Sequence, residues 1–331
     1  MNTMTDQSES DSGLLREKTE VLRELEPQVE SLMESHIQKR QMWYPSDFLP
    51  ADEQMSDDEE QKRESLRDRV RSISDPSRVS VALNLLTEEG LPHFHRIIST
   101  YLGNESIWSK WNFLWTAEED RHGNVLRDYV RDSRLFKFRE VEEMQFDYQQ
   151  NGFTPDWDKD PYRVFVYTTL QERATQISHG NTGKKVGDEE PLLGGILRQV
   201  ASDEARHYAF YRNVFKSILE IDPNRALQSA VQILPSIDMP GLSIPGFKKM
   251  ADTVRRTGIY GPWNYKNIVE EVIGFWDIEN LTGLNAQGRK VRDKIMELPS
   301  RLEKVAKYID RKSGSKTFSF DFIGNRQLVF E

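Results

Sequence analysis

The sequence predicts an all-α fold: a large helical bundle with four helices at its centre and a short β-hairpin at its C-terminus. Three observations point there. The pattern Glu-x-x-His occurs twice, as Glu119-Asp120-Arg121-His122 and Glu204-Ala205-Arg206-His207. A single Glu precedes each pattern at nearly the same distance, Glu88 by 31 residues and Glu172 by 32. The tail from Thr317 switches to alternation around Ile323-Gly324-Asn325, which is strand rather than helix periodicity.

Taken in order, residues 1–13 are polar and acidic and predict a disordered tail, followed by one domain over 14–331, since no Gly-, Ser- or Pro-rich linker divides the chain. Leu14, Val21, Leu25, Val29 and Leu32 fall on one helical stripe, with a kink at Pro27. Met42 to Pro50 is aromatic and bracketed by prolines, an extended loop that would bury Trp43. Residues 51–76, acidic and then mixed in charge, predict a solvated face and a short helix.

The first core helix should run from Arg78 to about Leu102, carrying Glu88 and distorted at Gly90 and Pro92. The second spans 107–131, where Trp108, Trp111, Trp115, Leu126 and Tyr129 share a stripe with Glu119 and His122. An amphipathic helix at 139–151 and a turn from Gly152 to Asp160 follow. Residues 161–182 and 190–219 are the third and fourth core helices, joined by a Gly-Lys rich surface loop at 183–191. Further helices are expected near 224–233, 246–257, 265–276 and 285–309, and the hairpin over 317–331.

Residues three apart on a helix lie one turn apart on the same face. Both Glu-x-x-His pairs sit on the face that must be buried, and a buried carboxylate needs a compensating charge. One such pair would be an ordinary exposed ion pair. Two, each with a matched upstream Glu, form the side-chain set of ferritin-like di-iron and di-manganese bundles. Glu88, Glu119, His122, Glu172, Glu204 and His207 are therefore the candidate metal ligands.

Composition narrows the chemistry. The 331 residues include no cysteine, which removes disulfides, zinc-thiolate and iron–sulfur sites and thiol nucleophiles, and fits a reducing compartment. Any metal must take oxygen and nitrogen ligands, and six histidines are available. A formal net charge of −9 argues against nucleic-acid binding. No apolar run approaches the ~18–20 residues of a membrane span, and residues 1–12 lack the basic or apolar character of a targeting peptide, so a soluble, cytoplasmic protein is expected.

The stretches TEEGLP, WTAEEDRHGNVL, QERATQISHGNT and SDEARH, with WYPSDFLP, LTGLNAQG and FSFDFIGNRQL, resemble in order and spacing the soluble acyl-[acyl-carrier-protein] desaturases. The resemblance implies a ferritin-like helical domain with a central four-helix di-iron core and a C-terminal hairpin, acting as a homodimer. It implies that Glu119 and Glu204 bridge two iron ions (Fe2+), with Glu88 and His122 completing one and Glu172 and His207 the other. Asp203 matches a position that holds His122 and links it to Trp43, an electron entry route, and pseudo-symmetry makes Glu118 the candidate partner of His207. Thr175 matches a hydroxyl beside the oxygen site; the plain reading is a helical Thr bonding its own backbone.

The activity implied is O2-dependent insertion of a cis double bond into a saturated acyl chain carried on acyl carrier protein, with electrons from reduced ferredoxin. Positions that are slender in stearoyl-type members are Tyr101, Trp157 and Val164 here, which implies acyl chains shorter than stearoyl. His93 and His95 are spaced off a common face and predict no further metal. Lys39, Arg40, Lys248, Lys249, Arg255 and Arg256 are candidates for docking the carrier protein. Two alternatives stay open: another ferritin-like di-iron oxygenase, such as a hydroxylase or oxidase, and a non-enzymatic ferritin-like metal-handling protein.

Overall fold

The computed structural model describes the backbone of residues 3–49, 57–102, 106–155, 160–236 and 240–331. Its core is built by α4 (Asp75–Glu88), α6 (Ile107–Ser133), α8 (Pro161–Gly187) and α9 (Pro191–Ile221), preceded by α1 (Thr3–Glu24), α2 (Glu26–Lys39) and α3 (Asp57–Arg69). Between the core helices lie α5 (Leu91–Leu102) and α7 (Phe138–Asn151). After them come α10 (Pro223–Ile233), α11 (Phe247–Arg256), α12 (Pro262–Phe275), α13 (Ala286–Met296) and α14 (Leu298–Lys312). The chain ends in β1 (Lys316–Ser319) and β2 (Gln327–Phe330), an antiparallel pair in which Phe318 faces Leu328.

Helix α4 packs against α6 and α8, and α9 packs against the same two, so the four close a ring. Local chemistry starts these helices where it does. Asp160, Glu190 and Asp222 each cap a helix whose first residue is Pro161, Pro191 or Pro223, and their side chains accept from Tyr162 N, Leu193 N and Arg225 N. Glu190 is fully buried and also accepts from Tyr129 Oη and Arg69 Nε, both at 2.9 Å. Arg78, buried at the start of α4, donates to the carbonyls of Val70, Ile73 and Leu135, tying the end of α6 to the approach to α4.

Several expectations are revised. The helix carrying Glu88 does not run to Leu102: it ends at Glu88 and restarts at Leu91. Gly90 packs so closely under the Tyr148 hydroxyl that any side chain there would collide, and Pro92 sits in the first turn of α5, where no amide is required. The loop expected at 183–191 is helical as far as Gly187, leaving only Asp188–Glu190 as connection. Glycine serves contact there rather than a turn, because a Cβ on Gly183 would stand 2.9 Å from the Leu197 Cβ. The helix expected at 285–309 is two, divided before Pro299, which occupies the first turn of α14.

Candidate metal centre

Four elements deliver the six candidate ligands to one place. Glu88 is the last residue of α4, Glu119 and His122 lie mid-α6, Glu172 on α8, and Glu204 and His207 on α9. Each is at least nine-tenths buried. Ligand atoms of Glu88, Glu119, His122 and Glu204 lie within 4.8 Å of one another, and so do those of Glu119, Glu172, Glu204 and His207. Glu119 and Glu204 belong to both quartets.

His122 Nδ1 faces Glu119 Oε2 at 3.4 Å, Glu204 Oε1 at 3.5 Å and Glu88 Oε2 at 3.8 Å. His207 Nδ1 faces Glu119 Oε1 at 2.8 Å and Glu172 Oε2 at 3.6 Å. Both Nδ1 atoms, with Glu119 Oε1 and Glu204 Oε2, are buried without a hydrogen-bond partner. Orphaned buried polar atoms are rare in folded proteins and ask for an explanation. These four converge from two helices, and an N/O set with four carboxylates fits a pair of divalent cations.

The electrostatics agree. Burial, and then the charge of Glu204, push the Glu172 carboxyl well above its ordinary range, and burial raises Glu88. Burial alone would lower His122 and His207, but the surrounding carboxylates hold both imidazoles well above the usual range. Asp203 and Glu204 go the other way: burial raises them, and the neighbouring imidazoles outweigh it. Carboxylates this close and this dry are costly together unless cations neutralise them.

Behind the imidazoles lies a second layer. His122 Nε2 donates to Asp203 Oδ2 at 3.3 Å, and the same oxygen accepts from Trp43 Nε1 at 2.8 Å. Arg121 and Arg206 also bind Asp203. His207 Nε2 donates to Glu118 Oε2 at 2.9 Å, as does His36 Nε2 at 2.9 Å. Trp115 Nε1 donates to Glu172 Oε1 at 3.1 Å, and His179 Nε2 to Glu88 Oε1 at 2.6 Å. His179 lies seven residues after Glu172, two turns along one face, a spacing that could have flagged it. His36 is 82 residues from Glu118 and carries no local signal.

An apolar cavity of about 210 Å³ opens beside Glu88, Glu119, Glu172 and Glu204, walled by Leu83, Leu91, Phe94, Ala174, Val254 and Tyr260. Thr175 lines it, while its hydroxyl donates to the carbonyls of Gln171 and Glu172 at 3.1 Å. Val164 is buried in the first turn of α8 and is not among the lining residues. Trp157 and the side chain of Tyr101 lie outside the described residues. His95 bonds Thr116 Oγ1 at 2.7 Å and His93 packs edge-on to Tyr148; neither joins a cluster of possible ligands among the described residues. No helix among the described residues is long and apolar enough to cross a membrane.

The chain is similar to known proteins. The family model described as fatty acid desaturase matches residues 17–324. A chloroplastic stearoyl-[acyl-carrier-protein] 9-desaturase of Gossypium hirsutum is 33% identical over 94% of this chain and 82% of its own. A chloroplastic palmitoyl-[acyl-carrier-protein] 4-desaturase 3 of Ophrys sphegodes is 32% identical over 95% of this chain and 83% of its own. An X-ray structure of a candidate acyl-ACP desaturase, DesA2, from Mycobacterium tuberculosis H37Rv shares the fold, with a TM-score of 0.58 at 21% identity over 82% of this chain and 98% of that one. The family model covers most of the sequence and both plant acyl-[acyl-carrier-protein] desaturases match it over nearly its full length: the chain belongs to the fatty acid desaturase family of enzymes.

Proposed function

We propose that this enzyme is a di-iron, O2-dependent desaturase that introduces a cis double bond into a saturated acyl chain carried on acyl carrier protein, with electrons from reduced ferredoxin. The observation that carries the reading is the pair of overlapping quartets opening onto an apolar cavity. Unactivated C–H bonds lie beyond side-chain acid–base chemistry; Glu88, Glu119, His122, Glu172, Glu204 and His207 would hold the iron, which would supply the missing oxidising power from O2. The overall change balances: two hydrogens leave adjacent methylenes, two electrons and two protons enter, and O2 leaves as two waters.

The protein's part is orientation and exclusion. Leu83, Leu91, Phe94, Ala174 and Val254 would hold a slender alkyl chain beside the carboxylates and keep bulk water away. Thr175 is the hydroxyl of α8 placed one turn past Glu172 on the cavity wall, able to turn from its own helix carbonyls toward a polar group inside. Trp43, hydrogen-bonded through Asp203 to His122, is the proposed side for electron entry. Lys248 and Lys249 lie on α11, whose other face supplies Phe247, Ala251 and Val254 to the cavity, and an acidic carrier protein would dock there. Arg40, Arg255 and Arg256 are already committed to Glu118 and Asp252 and are weaker candidates, while Lys39 lies at the end of α2. The protein is expected to act as a homodimer, which sedimentation would check.

Reconstitution with Fe(II), followed by reduced ferredoxin, O2 and acyl-acyl carrier protein, tests the reading. An enoyl product located by mass spectrometry is expected. Hydroxylated product would assign another di-iron oxygenase activity, and bound iron without acyl chemistry would end the enzymatic proposal.

A further inference from the structure

His36 and Trp43 lie on one strap, the last turns of α2 and the extended chain after it, and they reach opposite halves of the centre. Trp43 stacks on His122 with ring centroids 6.1 Å apart and planes within 4°. His36 stacks on His207 at 5.7 Å and 17°. Asp203 and Glu118 each directly precede the Glu of a Glu-x-x-His pair, and each crosses to the imidazole of the other helix. One carboxylate oxygen is shared in both cases: Asp203 Oδ2 accepts from Trp43 and His122, Glu118 Oε2 from His36 and His207. His36 and Glu118 are both buried.

We propose that His36 is a positioning residue for the second half of the centre: through Glu118 it holds His207 with Nε2–H outward and the Nδ1 lone pair toward Glu119, Glu172 and Glu204. A carboxylate offers about four acceptor sites and can turn when only one is used. Glu118 has two N–H donors on one oxygen and Arg40 Nη1 at 3.3 Å on the other, which leaves it a single orientation. An acceptor fixed at Nε2 makes His207 carry its proton there. Once the inner proton has left, Nδ1 is the bare nitrogen, the form of imidazole that binds a cation. His36 belongs to neither quartet but forms a separate buried trio with Glu118 and His207, so its effect on a cation held by the quartets passes through Glu118 and the stacked ring.

The inference rests on the proposal that these side chains hold two cations. Anaerobic calorimetric titration with Fe(II), and Co(II) absorption as a spectroscopic reporter, should be run on the wild type, His36→Leu, His36→Gln and Trp43→Phe. Wild type should take two equivalents. His36→Leu should weaken one of them by about 10–100-fold, the size of effect seen when a partner of a metal-bound His is lost. His36→Gln, which keeps an N–H donor for Glu118, should restore it in part. Trp43→Phe should weaken the other equivalent, so that different Co(II) bands fade in the two variants. Two unchanged equivalents in His36→Leu, or equal loss of both alongside a lower melting temperature, overturns the positioning role. A wild type that binds no cation overturns the metal reading instead. Should His36→Leu not fold, 15N imidazole spectra of zinc-loaded wild type decide: a protonated Nδ1 on His207 ends the proposal.

Discussion

His122 and His207 are each gripped from two sides, by Asp203 or Glu118 at Nε2 and by the inner carboxylates at Nδ1. Burial favours neutral rings, but the carboxylate charge outweighs it and raises both imidazoles, so each tends to hold two protons where an ordinary His would hold one. A divalent cation held there would have to displace the inner proton, and a further one from Glu172, whose carboxyl burial and Glu204 push up. The sign follows. Cation affinity should tighten as pH rises from mildly acidic to mildly alkaline, with proton release visible as a buffer-dependent heat, and a pH-independent affinity would contradict the ligand assignment. At this scale the two Glu-x-x-His pairs are legible because helical spacing alone puts Glu and His on one buried face, and Glu88 and Glu172 only through their matched distances upstream. His36 and His179 are not, since only tertiary packing brings them to Glu118 and Glu88.

Helices α8 and α9 carry three of the six inner residues and are joined by three residues, so their separation sets where Glu172 stands relative to Glu204 and His207. They meet glycine on glycine at Gly187 and Gly194. A Cβ on Gly194 would meet Gly187 Cα at 2.5 Å and the Gly183 carbonyl oxygen at 3.0 Å, and both partners are backbone that can yield only by moving a helix. Gly194→Ala should therefore cost about 1–3 kcal/mol through overpacking, against the ~1 kcal/mol that Ala normally gains in a helix. Gly274 in α12 is the control, having nothing within 4 Å of a built Cβ, and its Ala variant should be neutral or stabilising. A lower melting temperature for Gly194→Ala with none for Gly274→Ala is the expected result, and equal behaviour of the two would remove the close-approach argument. The same glycines show why the connector misled. Read locally, Gly183 and Gly187 are breakers, whereas Asp160-Pro161, Glu190-Pro191 and Asp222-Pro223 state their helix starts in the sequence because capping is a local interaction.

At the scale of the whole molecule, two apolar cores flank the carboxylates. One holds Phe94, Trp108, Phe165 and Tyr211, the other Leu83, Leu126, Leu197 and Val254, and the cavity lies against Phe94 of the first and Leu83 and Val254 of the second. Past the carboxylates, Phe94 stands against Phe153 at 5.6 Å and Tyr167 at 6.2 Å, and those two pair at 5.9 Å. This aromatic group stands behind Phe94 of the cavity wall and, on the proposed function, would limit how much alkyl chain can pass the reacting position. Val164 does not line the cavity, so a limit on length is expected from Phe94 rather than from that position. Each buried methylene contributes about 0.8 kcal/mol, or about fourfold in kcat/KM, until the chain meets the wall, and an overlong chain then loses ~1–3 kcal/mol to overpacking. Turnover across a series of acyl-acyl carrier proteins should therefore peak below the 18-carbon chain, and Phe94→Ala should move that peak to longer chains by opening space behind it. A wild type that prefers the 18-carbon substrate, or a peak that Phe94→Ala leaves in place, would show that length is set elsewhere in the fold.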